Sequence, residues 1–206
     1  MSAQPSLSRR EFLYYIWASS MALLMAEAGG AILWFAYPRF KVGEFGGTFT
    51  IDVKDLPMPG STPQAYDAGR FWLVNVDEAA VTDPRHPPGF EPQPGLLALY
   101  KICVHLGCLY RWMPGNNCFE CPCHGSKYLK DGTRVRRPAN RNLDRFVIRA
   151  LDTAGKVLAE TQAGDADADP TVGQPIPLPA GTAVLQVDTG KRIQGRRNSG
   201  PDMVKD

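Results

Sequence analysis

Two short stretches decide how this chain folds: Cys103-Val104-His105-Leu106-Gly107-Cys108 and, after twelve intervening residues, Cys121-Pro122-Cys123-His124-Gly125-Ser126-Lys127-Tyr128. All five cysteines and two of the three histidines fall between positions 103 and 124. Scattered core residues would not concentrate in this way, so the window must hold a metal site, a disulfide or both. Gly107, Pro122 and Gly125 break helix and β-ladder alike, which puts each Cys/His pair in a loop. Two loops facing each other bring two thiolates and two imidazoles, from Cys103, His105, Cys121 and His124, to one point.

Such a donor set suits a structural zinc ion or a 2Fe–2S pair with both cysteines on one iron and both histidines on the other. The ligand count does not choose between them, but the neighbours favour the iron–sulfur pair. Cys108 and Cys123 lie close behind a ligand, one in each loop, placed to bond to each other and pin the loops together. Ser126 and Tyr128 follow the last ligand, where hydroxyls can donate to sulfur, stabilise the reduced form and raise its potential. Leu106, Leu109 and Pro122 give the loops an apolar skin.

Working outward, the charge is nearly balanced at 23 basic against 21 acidic residues, which speaks against a nucleic-acid partner. Gly (20) and Pro (18) are plentiful in 206 residues, pointing to short strands and many turns rather than a helical bundle. Strand patterns occur at 48–53, 71–76, 96–102, 119–121, 143–151, 156–160 and 184–187, so the head reads as all-β. Thr82–Pro94 is a proline-rich irregular loop, and His86 within it reads as a solvated surface residue without a role. The small, acidic segment 163–170 has no apolar anchor and reads as mobile. Cys118 is most simply an unpaired strand residue. The polar tail from Gly190, with Arg192, Arg196 and Arg197, reads as disordered or spread on a partner or membrane surface.

At the N-terminus, Ser8-Arg9-Arg10-Glu11-Phe12-Leu13 precedes an apolar run from Tyr14 to Tyr37, the pattern of twin-arginine export. Those 24 residues are long enough to cross a hydrocarbon layer of about 30 Å. Ala26-Glu27-Ala28 resembles a cleavage site, but the run continues apolar through Phe35, which favours an uncleaved anchor. The domain plan is then an n-region at 1–13 and an anchor at 14–37. A tether at 38–47 leads to a head at 48–189, with a cluster-binding subdomain at about 100–140, and to a basic tail at 190–206.

The window resembles the Rieske iron–sulfur proteins of cytochrome bc-type quinol-oxidising complexes, whose boxes read Cys-Thr-His-Leu-Gly-Cys and Cys-Pro-Cys-His-Gly-Ser. Only Val104 departs from them. The likeness runs through Tyr100–Tyr128, with Trp112 and Asn117-x-Phe119 similar to the plastoquinol- and menaquinol-oxidising branch. It implies an antiparallel sandwich with a small cluster-binding subdomain on one transmembrane helix, carrying one 2Fe–2S cluster. It implies ligation by Cys103, His105, Cys121 and His124, a Cys108–Cys123 disulfide, and quinol contact at His124 with His105 beside it. The implied partners are a cytochrome b-type subunit, a cytochrome c-type acceptor, quinol and the membrane. The implied location is a bacterial cytoplasmic membrane with the head on the outer face, and the chain alone is not an enzyme. The rival readings are an arsenite-oxidase-like Rieske subunit, a Rieske ferredoxin and a zinc module. The resemblance fails at the loop expected over the cluster, where the family's Gly-Pro-Ala-Pro is replaced by Arg137-Pro138-Ala139-Asn140.

Overall fold

The computed structural model describes residues 7–37 and 43–204. The start of the n-region, tether residues 38–42 and the last two residues of the tail lie outside the described residues. The chain divides into two compact units, Met1–Arg39 and Phe40–Asp206.

The first unit is one helix, α1 (Arg9–Ala36), which starts within the expected n-region. Ser8 caps it: its hydroxyl accepts from the Glu11 N–H, and the Glu11 carboxylate accepts from the Ser8 N–H at 2.9 Å. At 1.5 Å per residue, the 28 residues span about 42 Å, more than the roughly 30 Å of bilayer hydrocarbon. None of its residues is buried within the chain, and it is long and apolar enough to cross a membrane. The Ser20 hydroxyl donates back to the Ile16 carbonyl at 2.8 Å, which conceals a polar group along that length.

The second unit is built of β1 (Thr48–Asp52), β2 (Gln64–Tyr66), β3 (Phe71–Val76), α2 (Glu78–Val81), β4 (Gly95–Tyr100), β5 (Arg111–Met113), β6 (Cys118–Glu120), β7 (Lys127–Tyr128), β8 (Arg134–Arg136), β9 (Arg145–Leu151), β10 (Val157–Glu160) and β11 (Val184–Ile193). The large sheet runs β1-β11-β9-β4-β3-β2, with β10 paired to β9, and every pairing is antiparallel. It curls over its own core, so that Phe49 of β1 meets Phe71 of β3 with ring centroids 5.5 Å apart. The small sheet is a meander, β5-β6-β7-β8.

The β3–β4 hairpin serves two cores. Phe71, Leu73, Leu96 and Ala98 point into the core of the large sheet, whereas Val74, Val76, Leu97 and Leu99 point out of its back. There they meet Cys103, Tyr110, Phe119, Cys121, Tyr128, Ala139 and Leu143 of the small subdomain. Two buried faces explain why these strands read as unbroken apolar runs rather than alternating ones.

Three expectations need correction. The tail is not disordered: β11 continues to Ile193, and the Asn142 N–H donates to the Arg196 carbonyl at 2.9 Å. The Met203 N–H likewise donates to the Val135 carbonyl at 2.9 Å. The acidic segment has an anchor, since Ala166 packs with Val172 against Val147 and Ile193. Its carboxylates cap their own turns, Asp165 accepting from the Asp167 N–H at 2.9 Å and Asp169 from the Thr171 N–H at 2.8 Å. His86 is no solvated residue. Its side chain is 7% exposed, with Nδ1 3.0 Å from the Asp83 carbonyl and Nε2 3.3 Å from the Asp131 carboxylate.

Candidate metal centre

Both cysteine–histidine boxes form the same backbone loop. In the first, the Cys103 N–H donates to the Cys108 carbonyl at 2.7 Å, and the Gly107 N–H returns to the Cys103 carbonyl at 3.0 Å. In the second, the Cys121 N–H donates to the Ser126 carbonyl at 2.9 Å, and the Gly125 N–H returns to the Cys121 carbonyl at 3.0 Å. Gly107 and Gly125 occupy equivalent places, at φ +81° and +79°. A Cβ there would meet open space, so glycine is required by backbone conformation alone, worth roughly 1–2 kcal/mol.

These loops put thiols inside and imidazoles outside. Cys103 and Cys121 are buried, His105 is half-buried and His124 exposed. The two imidazoles stand side by side, centroids 4.8 Å apart and nearly perpendicular at 83°. Cys108 and Cys123 are joined, as expected, in a disulfide spanning 15 residues with Cα atoms 6.6 Å apart. The bond links the last residue of one loop to the third residue of the other, so it fixes their separation.

Behind the thiols lies a chain of hydroxyls. The Tyr128 hydroxyl is 3.1 Å from the Cys103 Sγ. Ser126, wholly buried beside the Tyr128 phenol, accepts the Ala139 N–H at 3.0 Å. Burial pushes the Cys103 thiol up, and hydrogen bonds from Tyr128 and the His105 backbone offset this only in part. Burial and the neighbouring Cys103 also hold the Tyr128 phenol far above its ordinary value, so it stays protonated and can donate. Leu106 and Leu109 lie at the surface of the head. They are 69% and 65% exposed, and Pro122 is exposed as well, so each box presents apolar side chains on its surface.

The donor spacing tests which group fits. A tetrahedral zinc ion with bonds of 2.0–2.3 Å would draw its ligand atoms to within about 3.8 Å of one another. Among the described residues, the metal-binding trio whose ligand atoms lie within 4.8 Å is Cys108, Cys121 and Cys123, two of which are spent in the disulfide. The Cys103 and Cys121 thiols face each other inside, and with the outer imidazoles of His105 and His124 they make the two-thiolate, two-imidazole donor set that suits a two-iron group. Cys118 stays apart from this chemistry. It lies in β6, buried, with its thiol 3.5 Å from the Glu120 carboxylate and pushed up to about 11 by burial.

Sequence reasoning missed the residues that hold the loop over the thiols. Arg134 is fully buried and its guanidinium is received by Asp202, Asn198 and the Gly200 carbonyl. The turn-forming run Asn198-Ser199-Gly200-Pro201-Asp202 was the available signal, since such residues mark a specific turn as often as a mobile tail.

The sequence profile of the Rieske [2Fe-2S] domain matches residues 51–147. The cytochrome b6-f complex iron-sulfur subunit 1 of Synechocystis sp. is 33% identical over 155 residues, covering 73% of this chain and 84% of that protein. Subunit 2 of Nostoc sp. is 31% identical over 153 residues, with the same shares. Among solved structures, the cyanobacterial plasma membrane Rieske protein PetC3 of Synechocystis matches with a TM-score of 0.26 and 25% identity, covering 44% of this chain and 86% of that one. With the profile lying across both boxes and relatives matched over most of their length, the chain belongs to the Rieske [2Fe-2S] iron–sulfur protein family.

Proposed function

We propose that this chain is the electron-transfer subunit of a membrane quinol oxidoreductase, taking one electron from quinol and passing it to a c-type or equivalent haem. The observation that carries the reading is the pair of imidazoles, His105 and His124, 4.8 Å apart and more exposed than the buried thiols of Cys103 and Cys121. Cys103, Cys121, His105 and His124 are the residues that would hold the 2Fe–2S cluster, two through thiolates and two through imidazoles. When bound, the cluster supplies one-electron chemistry in the range of about −150 to +300 mV that His₂Cys₂ ligation gives.

The rest is done by side chains. A histidine bound through one ring nitrogen keeps the other free to exchange a proton with a quinol hydroxyl, and His124, the more exposed, takes that contact. Leu106, Leu109 and Pro122 receive the apolar part of a quinol and exclude water from the proton path. Tyr128 donates to the Cys103 sulfur, and the Cys108–Cys123 bond keeps the two boxes in register.

Helix α1 anchors the head in a cytoplasmic membrane, the Ser8–Leu13 pattern directs twin-arginine export, and the head stands on the outer face. The partners are a cytochrome b-type subunit for the second quinol electron and a cytochrome acceptor for the first, in keeping with relatives that are subunits of cytochrome b6-f complexes. Redox titration of the loaded protein, followed by EPR, tests the reading. A Rieske signal with a midpoint inside the range above is the expected result, and loss of that signal on His124→Ala assigns the ligand. Retention of the signal in that variant refutes the assignment.

A further inference from the structure

The cover loop Arg137–Asn140 lacks the glycine and second proline that stiffen it elsewhere in the family, yet its ends and middle are all held. The Arg137 N–H donates to the Asp202 carboxylate at 3.0 Å, and the Asn140 carbonyl accepts the Asn198 N–H at 3.0 Å. Between them the Ala139 N–H donates to the Ser126 hydroxyl at 3.0 Å. The residues gripping the loop from outside belong to the C-terminal segment. That segment is itself fixed by buried Arg134, which donates to Asp202 at 3.0 Å, to the Asn198 side chain at 3.1 Å and to the Gly200 carbonyl at 2.7 Å. Asn198 closes the knot by donating to the Arg134 carbonyl at 2.9 Å.

We propose that Asp202 and Asn198 are positioning residues: the C-terminal segment is a strap that fixes the cover loop and, through Ala139, the Ser126 and Tyr128 hydroxyls behind Cys103. The strap replaces from outside the rigidity that proline would supply from within the loop. Asp202 is the keystone because one carboxylate oxygen accepts from both the cover-loop backbone and the buried guanidinium. The effect on the thiol is indirect, running from the Ala139–Ser126 hydrogen bond through the neighbouring Tyr128 hydroxyl to Cys103. Its influence on a cluster rests on the ligand reading above, whereas the brace itself does not.

The first test uses the unsubstituted chain and amide hydrogen exchange. If the strap holds the loop, the amides of Asn198, Met203 and Ala139 open as one unit and exchange at a common rate. Ala139 remaining protected after the strap amides have exchanged overturns the proposal. The second test compares Asp202→Ala with Asp202→Asn, which keeps an acceptor oxygen. Ala139 exchange should quicken about tenfold or more in D202A, as for loss of bonds to a charged group, and return towards the unsubstituted rate in D202N. EPR-monitored titration should show a lower midpoint in D202A at full cluster content, restored in D202N. Unchanged exchange in D202A overturns the brace. Quickened exchange with an unchanged midpoint overturns only its reach to the thiol, and leaves the Rieske reading standing.

Discussion

Replacing Tyr128 by Phe removes one oxygen and leaves the ring packed against Tyr110, whose centroid is 5.9 Å away. The lost atom is the donor 3.1 Å from the Cys103 sulfur. A hydrogen bond to a charged acceptor is worth about 1.5–3 kcal/mol in a buried site. Only the part that differs between the oxidised and the more negative reduced state moves the potential. Taking that part as about 1 kcal/mol, and 59 mV per tenfold for one electron, the midpoint should fall by about 40 mV. The assay is a redox titration of the loaded Tyr128→Phe protein beside the unsubstituted one, with cluster content measured by iron analysis and EPR amplitude. A midpoint within about 10 mV of the unsubstituted value, at equal cluster content, would refute the hydrogen-bond argument. A rise would reverse its sign, since a donor can only favour the state with more charge on sulfur.

Ser126→Ala should lower the midpoint in the same direction and also cost about 1–3 kcal/mol of stability, because the Ala139 N–H loses its buried acceptor; chemical denaturation measures this, and its effect on the midpoint should fall short of adding to that of Tyr128→Phe. Reducing or deleting the Cys108–Cys123 bond, which spans 15 residues, should destabilise the head by about 3 kcal/mol on the chain-entropy account and accelerate loss of the EPR signal; an unchanged denaturation midpoint would count against its bracing role. At His86, burial lowers the imidazole pKa, but the Asp131 carboxylate and the Asp83 carbonyl and charge outweigh this and raise it, while Asp131, despite burial, is lowered by His86 and Thr133. The pair's contribution is therefore complete above the ordinary Asp value of about 4 and below the ordinary His value of about 6.5, and is lost on the alkaline side as pH rises through the raised His86 pKa. The stability of the unsubstituted protein, read by chemical denaturation, should fall over that alkaline step, and His86→Gln should remove the step.

The boxes and the strands were legible for different reasons. Thiols and imidazoles at fixed short spacings have few structural uses, so their chemistry shows in the sequence, and the same two glycines that break helix and strand are the left-handed residues closing each loop. Strands β3, β4 and β9 announced themselves because both of their faces are buried, which leaves long apolar runs. Strands β2, β5, β7 and β8 have two or three residues each, too few for a period to emerge. The tail and the acidic segment were misread for a common cause. Both are held by side chains accepting from backbone N–H groups, and the tail also by the pair of buried Arg134 with Asp202. Polar composition looks the same whether those groups meet water or each other, and only the fold reveals which.

How the site is carried follows from the shared hairpin. β4 ends at Tyr100, and Cys103 begins the first loop three residues later, so one of the two inner thiols hangs directly from a central strand. The second loop instead turns β6 into β7 of the small sheet. Nothing in local sequence brings these loops together. They meet because Leu97 and Leu99, on the back of β4, are covered by Phe119, Tyr128 and Leu143. The disulfide then fixes a separation that packing has already set. Each loop closes through its own backbone hydrogen bonds and its own glycine, which set the positions of Cys103 and Cys121. The imidazoles differ, since His105 is two residues past its cysteine and His124 three. Equivalent loops with unequal histidine spacing cannot present two equivalent rings, and the observed pair is nearly perpendicular, one half-buried and one exposed. That inequality, written into the spacing of the two boxes, is what leaves His124 the more exposed of the two imidazoles.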